Sequence, residues 1–150
     1  MSIVTSNALK DSIIARIVRT TRIIDKMVSE EVGQYKLTKP QFDVLLILKF
    51  CNQEFITTTE LSEELMVSKA NITGIVTRLE KANLISKVVD ENDTRSKKIA
   101  LTESGLELID RVMPRYFAMS DEIYSKFSEE ERQKLLSQMI FIEEFYNSRR

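Results

Sequence analysis

Histidine is absent from all 150 residues. That absence removes Ser-His-Asp triads, Cys-His pairs and most transition-metal sites, since each depends on an imidazole as base or ligand. No glycine-rich phosphate loop of the GxGxxG or Walker type occurs either. An enzyme would need a nucleophile beside a base, and no such pair is found, so the expectation is a non-enzyme with no cofactor and no metal. The single cysteine excludes an internal disulfide framework and fits a reducing compartment, the cytoplasm. No apolar run approaches the roughly 18 residues of a membrane span. With no such run, no membrane partner is expected, and the N-terminus lacks the basic-then-apolar pattern of an export signal, so export is not expected. Only three glycines and two prolines occur, which favours long helices over a loop-rich or all-β design.

What is present is enough for one domain with a core: 43% hydrophobic and 30% charged residues. The net charge of −1 is uninformative, but its distribution is not. Residues 68–98 hold seven basic and four acidic side chains, whereas residues 102–150 hold seven basic and ten acidic. An acidic protein can thus turn one basic face towards phosphate.

Apolar periodicity predicts a first helix over about residues 6–32, with Ile13, Ile14, Ile17, Thr21, Ile24, Met27 and Val28 on one stripe. Arg16, Arg19, Arg22 and Lys26 lie on its other side, and Gly33 is expected as a left-handed stop. Thr38-Lys39-Pro40-Gln41 has the capping-box pattern of a second helix, whose interior side carries Phe42, Leu45, Leu46 and Leu48. Thr57-Thr58-Thr59-Glu60 repeats the pattern and opens a short helix to about Met66, anchored by Leu61 and Leu65. Ser68 caps the next helix, to about residue 82, leaving only Val67 between the two, a helix-turn-helix junction. Asn83 suits a left-handed conformation at its end. Residues 84–89 and 97–101 read as paired strands with 90–96 as the turn. Thr102 caps a fifth helix reaching about Phe127, which Pro114 should kink or interrupt. Ser128-Glu129-Glu130-Glu131 caps a last helix bearing Leu135, Leu136, Met139, Ile142, Phe145 and Tyr146.

On the helix over residues 68–82, Ile72, Ile75, Val76 and Leu79 form a core face. The opposite face carries Lys69, Ala70, Thr73, Gly74 and Thr77, and is short, polar and mostly small. A major groove admits a helix only when such residues let the backbone approach, with donors and acceptors near the helix N-terminus. Ser68, Lys69, Asn71, Thr73 and Thr77 meet that requirement, and Arg78 is placed for a phosphate contact. Gly74 costs roughly 1 kcal/mol in a helix relative to alanine, which a close approach by DNA or another backbone would explain. By itself the helix reads equally as ordinary polar surface. The following hairpin, with Asp93, Arg95, Lys97 and Lys98, tips the reading towards duplex DNA. An arginine at a hairpin tip can enter a narrow minor groove, and Asp93 can orient it through paired hydrogen bonds. An isolated hairpin of this kind is more commonly a solvated turn.

The segments Ile56-Thr57-Thr58-Thr59-Glu60-Leu61-Ser62, Ser68-Lys69-Ala70-Asn71-Ile72-Thr73, Leu79-Glu80-Lys81-Ala82-Asn83-Leu84-Ile85, Asp93-Thr94-Arg95-Ser96 and Leu101-Thr102-Glu103-Ser104-Gly105 together resemble MarR-type transcriptional regulators. The resemblance covers nearly the whole chain. It implies a mainly α fold with a small β-hairpin wing, that is, a winged helix-turn-helix with N- and C-terminal dimerisation helices. Residues 1–34 and 115–150 would form the dimerisation helices, 35–101 the DNA-binding lobe and 102–114 a connecting helix, all in one unit. It implies a homodimer whose recognition helix enters the major groove and whose Arg95 reaches the minor groove. Asn83 stands where the family usually has glycine, and Gly74 where relatives often carry a larger side chain, which puts base preference in question.

The terminal helices carry more apolar residues than a thin core needs, so Ile13, Ile17, Phe141, Ile142, Phe145 and Tyr146 are candidates for an intersubunit core. A symmetric dimer would set two recognition helices about 34 Å apart, one turn of DNA, matching a palindrome. The resemblance further implies a repressor or activator, of which a repressor is the expectation, regulated by a small, often aromatic or phenolic effector, for which Ile17, Phe42, Leu46 and Tyr116 are candidate lining residues. Some relatives sense peroxide through a cysteine near the start of the first helix. Cys51 lies at the end of the second without a histidine to lower its pKa, and is expected to be a buried, inert thiol. Two alternatives stand beside the DNA-binding regulator: a winged-helix interaction module that does not bind DNA, and a cysteine-based redox-sensing regulator. Acidic or apolar residues at the wing and recognition face would mark the module, and Lys69, Arg78, Arg95, Lys97 and Lys98 stand there instead.

Overall fold

The computed structural model describes residues 12–89 and 97–149 of the chain. Residues 6–11 of the expected first helix and the expected turn at 90–96 lie outside the described residues. The elements run α1 (Ile13–Gly33), α2 (Lys39–Phe50), β1 (Ile56–Thr57), α3 (Thr58–Glu64), α4 (Lys69–Lys81), β2 (Ile85–Val89), β3 (Lys97–Leu101), α5 (Glu103–Tyr124) and α6 (Glu129–Asn147). This is the mainly helical winged fold that the sequence pattern implies. The chain divides into two compact units, Met1–Met113 and Pro114–Arg150.

Local chemistry sets most helix starts. Thr38 with Gln41, Thr57 with Glu60 and Ser128 with Glu131 each close a capping box, satisfying two otherwise unpaired backbone donors. Helix ends follow a different rule from the one expected. No glycine among the described residues has positive φ, and Gly33 is simply the last residue of α1. The chain turns left-handed at Lys36 (φ 60°), Met66 (φ 53°) and Asn83 (φ 58°). At each, two backbone bonds reach back to unpaired helix carbonyls. Leu37 N–H donates to Val32 at 3.4 Å and Lys36 N–H to Gly33 at 3.0 Å. Val67 donates to Ser62 and Met66 to Glu63, and Leu84 to Leu79 and Asn83 to Glu80. Asn83 fulfils its expected role, since its short polar side chain tolerates this conformation. Lysine and methionine tolerate it less well. Lys36→Gly should therefore raise the unfolding free energy by about 0.5–1 kcal/mol, the left-handed strain relieved less the extra chain entropy of glycine. Urea titration measures it, and a lower midpoint at unchanged slope would contradict it.

The sheet holds one strand more than expected. Ile56 and Thr57 pair antiparallel with Ile99 and Lys98, so β3 is central in the order β1-β3-β2. β2 pairs with β3 from Ile85↔Leu101 to Val89↔Lys97. Two residues are too short for any alternation to register, which is why β1 escapes a periodicity argument.

Among the described residues every buried hydrophobic side chain lies between Val28 and Met113. Phe42, Leu45, Leu61, Ile72, Leu79, Ile85, Ile99 and Ile109 are its largest members. Val44, fully buried on α2, was not on the expected interior face, and Leu46 is only half-buried. Lys39 ties α1 to α2, its Nζ lying 3.2 Å from Asp25 and 2.6 Å from Asp43. Lys49 bridges α2 to Asp110 of α5.

Helix α5 runs on through Pro114 and ends at Tyr124, short of the expected Phe127. Proline has no N–H to offer the carbonyl four residues earlier, so the helix lacks that bond, and the division between the two units falls there. In the second unit α6 has no buried residue. Its rings of Phe141 and Phe145 stack at 6.5 Å, and the Arg149 guanidinium lies 4.2 Å from the Phe145 centroid. Phe141 is 66% exposed, and Leu135, Leu136, Ile140, Ile142, Phe145 and Tyr146 are all exposed. Helix α1 likewise exposes Ile13, Ile14, Val18, Ile23 and Ile24.

Candidate nucleic-acid interface

Helix α3 is short and capped at its first turn, where the Glu60 carboxylate accepts the Thr57 backbone N–H and hydroxyl, each at 2.7 Å. Those two bonds, the backbone one first, hold its carboxyl below the usual carboxylate range. The junction to α4 is longer than the single residue expected: Leu65, left-handed Met66 and Val67 precede Ser68. Ser68 then caps α4, its hydroxyl accepting the Asn71 N–H at 3.3 Å.

Helix α4 is oriented by Ile72, Val76 and Leu79, all at most 1% exposed, with Ile75 half-buried beside them. Ser68, Lys69, Ala70, Asn71, Thr73 and Arg78 are exposed to solvent, with Gly74 and Thr77 half-buried among them. At about 100° per residue, Ala70, Asn71, Gly74, Thr77 and Arg78 share the side away from the buried trio, with Thr73 at its edge, while Lys69 and the cap Ser68 are exposed at the N-terminal end of the helix rather than on that side. The Thr73 and Thr77 hydroxyls each donate to their own helix, to the Lys69 and Thr73 carbonyls, both at 2.8 Å. A Cβ at Gly74 would meet only an Arg78 Nη, at 3.6 Å, ordinary contact, so the chain's own packing gives no reason for a glycine there.

The wing residues Asp93 and Arg95 lie outside the described residues. Lys97 and Lys98 begin β3, directly after that segment. Lys98 is half-buried on the central strand, opposite Val88 and Thr57. Lys87 is bound to Glu80 at 2.5 Å, joining β2 to α4. The cationic surface that the described residues expose here is accordingly narrower than the residue count implies, and rests on Lys69, Arg78 and Lys81.

The wing's root is fixed by α5, a link that the sequence carries only as an L-T-x-x-G motif. Thr102 hydroxyl donates to the Asn83 carbonyl at 2.7 Å and accepts the Gly105 N–H at 3.0 Å. The Thr102 N–H donates to the Leu84 carbonyl at 3.2 Å. That carbonyl comes so close to Gly105 that a Cβ there would stand 1.9 Å from its oxygen. Recognition helix, wing strand and α5 meet at this point.

Of the other candidates, Ile17, Leu46 and Tyr116 are half-buried, while Phe42 is 1% exposed and belongs to the core of the first unit. Cys51 is half-buried rather than buried, because it follows the last turn of α2; its Sγ lies 3.4 Å from the Leu48 carbonyl and 3.2 Å from that of Gln53. Among the described residues no His, Cys, Asp and Glu cluster is arranged to hold a metal ion, and no helix is long and apolar enough to cross a membrane.

The MarR family model matches residues 37–97, from the residue before the Thr38 cap of α2 to the first residue of β3. An uncharacterised HTH-type transcriptional regulator of Bacillus anthracis is 32% identical over 134 residues, 89% of this chain and 88% of the relative. The HTH-type transcriptional regulator PecS of Dickeya dadantii is 32% identical over 124 residues, 82% of this chain and 75% of its own. Among solved structures, the S. aureus MepR–DNA complex superposes with a TM-score of 0.82 at 22% identity, covering 94% of this chain and 99% of that one. AbsC from Streptomyces coelicolor gives 0.81 at 23%, covering 89% and 90%. At these identities the solved structures establish the fold, and these two curated relatives, both HTH-type transcriptional regulators, establish the kinship. The chain belongs to the MarR family of winged helix-turn-helix transcriptional regulators.

Proposed function

We propose that this regulator is a cytoplasmic homodimer that binds palindromic promoter DNA as a repressor and is released by a small aromatic effector. The observation that carries the DNA reading is the outward face of α4, where small, polar and basic residues stand opposite a fully buried trio, and a glycine stands without any internal packing reason. Such a face lets a helix backbone approach base edges. The MepR structure, which has DNA bound, has the same fold. The exposed apolar residues of α1 and α6 support the dimer, because a monomer would leave them in water. Two copies related by a two-fold axis present two recognition helices, and a two-fold protein fits a palindromic site. For the effector, half-buried Ile17 and Leu46 are the candidates in the first unit, where Phe42 lies in the core, and half-buried Tyr116 is the candidate in the second.

Arg95→Ala is the direct test of the wing. Affinity for a palindromic site from the chain's own promoter region should fall at physiological salt, with the melting temperature nearly unchanged, since a minor-groove arginine acts on DNA and not on the fold. Affinity of the unsubstituted protein should also drop steeply as salt rises, because each phosphate contact releases counterions. Equal affinity of variant and parent would remove the wing from the interface, and a flat salt response would indicate an interaction module instead.

A further inference from the structure

At about 100° per residue, Gly74 is the position of α4 diametrically opposite Ile72, Val76 and Leu79. It therefore marks the midline of the outward face, the part that a groove floor would meet, while the flanks meet phosphates. The one side chain near this gap is that of Arg78, whose Nη stands 3.6 Å from where a Gly74 Cβ would be. Helical side chains lean towards the N-terminus and residues four apart share a face, so Arg78 folds back over Gly74 into the space that a larger residue would take. Arg78 is exposed and holds no ion pair among the described residues. The neighbouring Thr73 and Thr77 hydroxyl hydrogens are committed to α4's own carbonyls. Ser68, Lys69, Asn71, Arg78 and Lys81 remain as exposed polar donors, and only the Arg78 guanidinium offers a planar fork of parallel N–H groups.

We propose that Arg78 reads a guanine in the major groove, and that Gly74 is the gap that positions it on the base edges rather than on the phosphate backbone. This rests on the DNA-binding reading above. A guanidinium fork matches the O6 and N7 acceptors of guanine, a pattern no other base presents.

Selection from duplexes with randomised half-sites, followed by sequencing, tests it with the full-length protein, Arg78→Ala and Gly74→Leu. The parent should enrich sites with a fixed G·C pair in each half. Arg78→Ala should lose preference at that pair alone, by roughly 5- to 150-fold. Gly74→Leu, which leaves Arg78 in place but fills its resting position, should lose the same preference. Uniform weakening across all sequences, with the consensus kept and the salt slope reduced by about one, would make Arg78 a phosphate contact and overturn the proposal. An unchanged consensus in Gly74→Leu would overturn it as well. If the parent enriches no duplex, the DNA-binding reading itself fails, and this proposal with it.

Discussion

Gly105→Ala should destabilise the protein by about 3 kcal/mol or more, beyond the usual 1–3 kcal/mol of an overpacked site. The added Cβ would stand 1.9 Å from the Leu84 oxygen and 2.9 Å from its carbonyl carbon, so backbone and not a flexible side chain has to move. Moving Leu84 pulls on β2 and on left-handed Asn83; moving α5 breaks the Thr102 bonds to Asn83 and Leu84. Either way a buried contact opens, since Gly105 is buried. Equilibrium unfolding in urea gives the value, and a change within about 0.5 kcal/mol, typical of an unremarkable surface site, would contradict the account. Under conditions where the variant stays folded, its affinity for DNA should also decline, because the same contact sets the wing root against the end of α4.

Phe141→Glu should turn the proposed dimer into a folded monomer. The site is 66% exposed in the single chain, so glutamate there costs the isolated fold little. In a two-fold interface the same charge enters twice, facing apolar surface without a partner, which is costly to desolvate. Sedimentation or light scattering at micromolar concentration should report half the parent's mass, with circular dichroism unchanged. Linking two reading heads strengthens binding by about 10²–10⁴-fold over one, so affinity for a palindrome should fall by about 100-fold or more. A dimer of unaltered mass would place the interface elsewhere.

How much of this was readable beforehand depends on the range of the interaction. Capping boxes are exchanges between residues three apart, so Thr38, Thr57 and Ser128 announced three helices correctly. The β2–β3 pairing followed from β-branched composition, and the burial of Ile72, Val76 and Leu79 from helical spacing. What escaped was set at a distance. β1 exists because β3 has a free edge for Ile56 and Thr57. Lys36 is left-handed just before buried Leu37, which fixes where the chain must go next, and Met66 is left-handed in the turn between α3 and α4. Lys87 and Lys98, counted as part of a basic face, are drawn in by Glu80 and by the central strand. Asp93 and Arg95 lie outside the described residues, so the wing tip rests on the sequence alone.

Thr73 and Thr77 give the recognition face a chemical bias that their names conceal. With each hydroxyl hydrogen donated to the helix backbone, neither offers a donor outward; what remains is a lone pair and a methyl group. The base-edge group that matches a methyl is the C5 methyl of thymine. On a duplex, these two residues would therefore separate thymine from cytosine by apolar contact, and the threonines of α4 would act more as valines than as serines.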